Sequence, residues 1–99
     1  MTEHKRLEAL VHGRVQGVGF RWWVRNRAAQ LNLQGWVANE QSGNVRVVAE
    51  GDAAALEQLA AELRDGPSGA SVERVDTSFG TATWEFRRFG IRAGGHSGD

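Results

Sequence analysis

The chain alternates between short runs with apolar residues at every second position and longer runs with them at helical spacing. Leu7-Glu-Ala-Leu-Val-His12 partly alternates and stops at Gly13, which predicts a strand. From Phe20 the apolar positions Phe20, Val24, Ala28 and Leu31 recur at spacings of four, four and three, the stripe of an amphipathic helix of about three turns. Asn32 follows where a helix end takes a left-handed residue. Gly35-Trp-Val-Ala-Asn39 and Asn44-Val-Arg-Val-Val-Ala-Glu50 predict two antiparallel strands joined by a turn over Glu40-Gln-Ser-Gly43. Asp52 is placed to cap a second helix whose Leu56, Leu59, Ala60 and Leu63 form its apolar face, with Glu57 and Glu62 toward solvent and Gly66-Pro67 as its stop. Ser71 to Phe79 and Trp84 to Ile91 predict two more strands.

This order, strand, helix, strand, strand, helix, strand and a closing strand, is the split β-α-β pattern of a ferredoxin-like α+β domain. Two helices are expected on one face of a mainly antiparallel sheet. Residues 1–6 are expected to be a flexible lead, 7–92 the domain and 93–99 a flexible tail, in a chain of 99 residues that has room for one domain.

Composition narrows the chemistry. The chain has no cysteine, which excludes disulfides, thiolate catalysis and cysteine-ligated metals. His4, His12 and His96 are scattered without ligand spacing, so no metal or other cofactor is expected. No apolar run of eighteen residues occurs and the first residues lack the apolar core of an export signal, so a cytoplasmic protein without a membrane association is expected. Twelve basic side chains balance twelve acidic ones, which argues against a broad nucleic-acid surface. The balance is not local, because Arg14, Arg21, Arg25 and Arg27 lie in a stretch from Ala9 to Asn39 that contains no acid. A concentrated cationic segment in a neutral chain points to a local anion site.

That segment holds Gly13-Arg-Val-Gln-Gly-Val-Gly-Phe-Arg21, between a strand and a helix N-terminus. A helix start offers unpaired amides and partial positive charge, Gly17 and Gly19 allow successive amides to converge, and Arg21 adds a cationic fork. The nucleotide P-loop is excluded because no Lys-Ser or Lys-Thr pair exists, and the dinucleotide fingerprint because Trp22 stands where its third glycine is needed. Trp22 and Trp23 cannot both face the core, since helix neighbours diverge by about 100°. Trp36 and Trp84 are expected to pack in the core or on the sheet. Arg14, Arg25 and Arg27 read most simply as solvated.

Gly13 to Arg21, with Gly35-Trp-Val-Ala-Asn39, Gly43, Glu50-Gly51 and the closing Phe89-Gly-Ile-Arg92, resembles the acylphosphatase family from about Leu7 to Arg92. The resemblance implies a small metal-independent hydrolase that cleaves the carboxyl–phosphate bond of acyl phosphates, releasing a carboxylate and inorganic phosphate. It implies that Arg21 is the phosphate-binding arginine and Asn39 the water-positioning asparagine. The amides of Val15, Gln16, Gly17, Val18, Gly19 and Phe20 would complete the phosphate cradle with Arg21. A small-molecule substrate, no cofactor and a monomer are expected. Two positions depart from the family pattern: Asn32 replaces the usual glycine at the end of the first helix, and Ser42 stands where the hairpin commonly has Asp.

Two other readings share this fold. An RNA-recognition module also uses a split β-α-β order, and Gly17-Val-Gly-Phe20 faintly echoes its motif, but that motif lies on a central strand, not in a strand-to-helix loop. Acylphosphatase-like domains also open larger carbamoyl-handling maturation enzymes, so a phosphate- or carbamoyl-phosphate-binding module is the second alternative. A chain of 99 residues favours the independent enzyme.

Overall fold

The computed structural model describes residues 3–93. The elements are β1 (His4–Arg14), α1 (Phe20–Gln30), β2 (Gln34–Asn39), β3 (Val45–Asp52), α2 (Ala53–Asp65), β4 (Ser71–Thr81) and β5 (Phe89–Arg92). They form a five-stranded sheet in the order β4-β1-β3-β2-β5, antiparallel throughout except that β5 runs parallel to β2. This is the ferredoxin-like α+β architecture the sequence pattern predicts.

Both helices lie on one face of the sheet, α1 over β2 and β5, α2 over β1, β3 and β4. The strand period explains why only that face is a core. Leu7, Ala9 and Val11 of β1 pair with Ala49, Val47 and Val45 of β3, and all six are buried under the helices. The helix stripes meet them as the spacing predicts. Phe20, Val24 and Ala28 are buried on α1, and Leu56, Leu59, Ala60 and Leu63 on α2. Burying each large aliphatic or aromatic side chain contributes about 1.5–3 kcal/mol relative to exposure. Gly35 is required by contact as well as by conformation, because a Cβ there would lie 1.9 Å from the Val48 carbonyl oxygen on the paired strand.

Six expectations are corrected. His4 to Arg6 are part of β1, not a loose lead: their register with β3 and β4 is set by those strands, and no apolar pattern of their own marks it. Residues 82–88 are not strand. They cross the open face of the sheet, and β5 begins only at Phe89. Trp84, expected to pack, is 70% exposed and stacks on His4 with ring centroids 4.4 Å apart. Asp52 occupies the N-cap position of α2 but its side chain accepts no capping hydrogen bond; its carboxylate lies 3.7 Å from His4 Nδ1, and the Ala53 amide donates to the Glu3 carbonyl. Glu62 does not face solvent. It accepts from Arg27 of α1, at 2.5 Å from Nε and 2.8 Å from Nη2, so Arg27 is not simply solvated either. Those hydrogen bonds hold the Glu62 carboxyl below the usual range and raise the Arg27 guanidinium.

Asn32 does take the left-handed conformation, with φ 58°. The tail beyond Ala93, with His96, lies outside the described residues.

The crossover is fastened by a carboxylate. Glu50 of β3 is 3% exposed on the sheet face away from the helices. It accepts from the Thr83 amide and hydroxyl, both at 2.9 Å, from the Trp84 amide at 2.9 Å and from Arg6 Nη1 at 3.1 Å. Burial pushes this carboxyl up, but the four donors outweigh it and hold it below the ordinary carboxylate value. Trp84 takes φ 63° here, a left-handed position that costs a non-glycine residue about 1–2 kcal/mol and that the Glu50 bonds offset.

Candidate active site

The sheet topology brings the two sequence motifs to one end of the molecule. β1 and β2 are both antiparallel to β3, so they run in the same direction and end on the same side. Val11, Val45 and Asn39 share one register row across β1, β3 and β2. Asn39 is therefore the last residue of β2, while β1 continues three residues past that row to Arg14 and into the loop before α1.

In that loop Val15 is buried and anchors in the core, with Val18 packed against it. Gly17 and Gly19 have φ of 74° and 77°, and a Cβ at either would meet nothing within 4 Å. The glycines are needed for left-handed backbone, not for space. Gly19 is the N-cap of α1, and the first helical hydrogen bond runs from the Trp23 amide to the Gly19 carbonyl at 3.1 Å. The amides of Gly19, Phe20, Arg21 and Trp22 accordingly have no intrahelical acceptor, and α1 has no acidic residue in its first turn to compete for them. Arg21, half-buried, is the second residue of this helix.

Asn39 is 5% exposed, and its Oδ1 is buried without a hydrogen-bond partner among the described residues. Leaving such an atom unsatisfied costs about 1–3 kcal/mol, which makes it a candidate to accept from a bound water or ligand. The acid next to it in sequence is neutralised: the Glu40 carboxylate accepts from Arg46 Nε at 2.5 Å. The Ser42 hydroxyl accepts from the Asn44 amide at 3.4 Å.

The remaining cations and rings around the loop sort by contact. Arg25 stacks over Trp22, with its guanidinium carbon 4.4 Å from the ring centroid, and Trp22 is exposed while Trp23 packs on Phe20. Arg14 is exposed. Trp36, half-buried on the open sheet face, carries Arg92 over its ring at 4.5 Å. His12 is committed to Asp76, with Nε2 2.8 Å from the carboxylate. One feature escaped the sequence reading. Gln16 contributes its side chain as well as its backbone, since Nε2 donates to the Glu40 carbonyl at 2.8 Å and to the Asn44 carbonyl at 2.9 Å. No local sequence signal marks this, because both acceptors are backbone atoms 24 and 28 residues away.

Two helices on an open, mixed five-stranded sheet with split β-α-β order define a small ferredoxin-like α+β domain. The sequence profile of one such family, acylphosphatase, matches residues 7–91. An acylphosphatase of Salinibacter ruber is 48% identical over 88 residues, covering 89% of this chain and 93% of that protein. The crystal structure of the acylphosphatase from Bacillus subtilis superposes with a TM-score of 0.85 at 33% identity, covering 89% of this chain and 98% of that one. A full-length HypF structure in a phosphate- and nucleotide-bound form also gives a TM-score of 0.85 at 28% identity, covering 95% of this chain but 12% of that protein. The chain belongs to the acylphosphatase family. Family and fold together support a hydrolase acting on acyl phosphates.

Proposed function

We propose that the chain hydrolyses acyl phosphates by in-line attack of a positioned water, with the phosphoryl group held by the amides of Val15 to Phe20 and by Arg21. The observation that carries this reading is the buried, unpartnered Oδ1 of Asn39 at the sheet end where the β1–α1 loop opens. A water held by that oxygen could face a phosphate seated in the loop.

The chemistry suits these residues. The leaving carboxylate has a conjugate acid with a pKa of roughly 4, so it departs without being protonated and no general acid is needed. What is required is a grip on a dianion, stabilisation of its equatorial oxygens and an aligned nucleophile. Amides and a guanidinium supply the first two, and a carboxamide oxygen accepts a hydrogen bond from water to supply the third. An acid beside the phosphate would repel it, and the engagement of Glu40 by Arg46 supports this division of labour. The attacking water loses its proton to a phosphate oxygen in this scheme, since none of the residues named here is a strong base.

The reading requires no metal or cofactor and no partner but the substrate, and it has the enzyme working as a cytoplasmic monomer. It is tested by following hydrolysis of a simple acyl phosphate with and without chelator in the wild type, Arg21→Ala and Asn39→Ala. Activity that survives chelation is expected, with Arg21→Ala losing turnover and phosphate affinity and Asn39→Ala losing turnover alone. Wild-type inactivity, or activity abolished by the chelator, overturns the reading.

A further inference from the structure

We propose that the Gln16 side chain is a positioning residue that sets the phosphate cradle against Asn39 by tying the β1–α1 loop to the neck of the β2–β3 turn. The inference rests on the proposed function and deepens it, because Gln16 otherwise enters only through its backbone amide.

The geometry is specific. A carboxamide nitrogen carries two hydrogens, and both acceptors of Gln16 Nε2 are carbonyls, those of Glu40 and Asn44. The same two residues close the neck of the turn, with the Glu40 amide donating to the Asn44 carbonyl at 2.9 Å. Gln16 thus joins both arms of the turn at one point. Gln16 is bonded to Gly17 in the chain, and Glu40 to Asn39. The two parts of the site are linked through one side chain and one peptide unit on either side. A hydroxyl residue has one hydrogen to give, and Asn is one methylene shorter. The tie matters because the loop around Gly17 and Gly19 has open space where side chains would otherwise pack. The cradle's own shape is local, set by left-handed glycines and the start of α1. Its placement relative to Asn39 is not local, and the Gln16 bonds bear on it directly.

Losing the tie should therefore damage alignment and spare the grip. Gln16→Met keeps the length and removes the donor. Misplacement of reacting groups by about 1 Å costs up to roughly 100-fold in rate, so kcat for a simple acyl phosphate is expected to fall about 10- to 100-fold. Inhibition by inorganic phosphate should stay within about twofold of wild type, since the anion site itself is intact. In an Asn39→Ala background the same substitution should cost less than about twofold further, because residues acting through one step are not additive. A merely structural role would lower both backgrounds equally.

Should Gln16→Met fail to fold by circular dichroism, Gln16→Glu keeps the size and faces two carbonyl oxygens with a carboxylate. Its kcat at saturating substrate should be low at neutral pH and recover in part as acid restores one of the two donating hydrogens. Undiminished kcat in Gln16→Met, additive losses with Asn39→Ala, or a flat pH profile in Gln16→Glu overturns the proposal. An active wild type with an unaffected Gln16→Met defeats this proposal alone, whereas an inactive wild type defeats the proposed function itself.

Discussion

In the crossover over residues 82–88, the amides of Thr83 and Trp84 converge on Glu50, an anion supplied by the protein itself. In the β1–α1 loop, the amides of Gly19 and Phe20 at the helix start have no intrahelical acceptor and, in the proposed reading, join those from Val15 onward in meeting an anion from outside. Both segments use left-handed backbone. The crossover places Trp84 there against its preference and needs a buried carboxylate to hold it, while the loop uses Gly17 and Gly19, for which the conformation is free of strain. The contrast separates two uses of one kind of chemistry. Amides filled internally fasten the fold, and in the proposed reading those of the loop hold the substrate.

Substitutions on the two sides should therefore read out differently. The largest expected effect is on catalysis. Arg21→Ala should lower kcat/KM by at least about 10²–10³, the usual result of removing a preorganised transition-state donor, while the circular dichroism spectrum and Tm stay near wild type. Glu50→Ala should do the reverse. It strands the Thr83 and Trp84 amides and leaves Arg6 paired only with Glu8 and Glu85, and unsatisfied buried donors cost about 1–3 kcal/mol each, read as a lower urea midpoint with turnover largely kept in the folded fraction. If Glu50→Ala abolished turnover in fully folded protein, the division between the two regions would collapse. Gly19→Ala falls between them: it should destabilise by about 1–2 kcal/mol through its φ of 77° and weaken inhibition by phosphate, because it disturbs the loop and the helix start together.

The smallest effect is on pH dependence. The Glu50 carboxyl is held below its ordinary value in the folded protein. The unfolded chain therefore binds more protons than the folded one between the two values. The stabilisation from Glu50 is complete above the unfolded carboxylate pKa of about 4.3 and disappears as pH falls through the folded one. Chemical denaturation from pH 6 downward should show a shallower acid loss in Glu50→Gln than in wild type. Equal slopes would show that other carboxylates carry the acid sensitivity.

Much of this was legible in the chain because it is local. The apolar stripes from Phe20 and Leu56 repeat every three or four residues, and their burial needs nothing beyond a sheet to face. Asn32 declared its left-handed place through its position after a periodic run. What failed was non-local. Thr83-Trp-Glu-Phe86 has the composition of a strand, but its backbone is captured by Glu50 from 33 residues away, which no window along the sequence contains. His4 to Arg6 are too polar to signal a strand and become one because β3 and β4 flank them. The pairing of Arg27 with Glu62 likewise exists only once α1 and α2 lie side by side. Arg21 and Asn39 were nameable from a motif, whereas the donation from Gln16 to the turn required the hairpin to be seen in place.

The strand order β4-β1-β3-β2-β5 sets a timetable for assembly. The first strand made is a central one, and its neighbours begin only at Val45 and Ser71. During synthesis β1 and the loop that follows it must wait with both edges open until most of the chain has emerged. Such distant pairings predict slower folding than that of a helical bundle of the same size. The end of the molecule that would do the chemistry is thus encoded early and becomes rigid late.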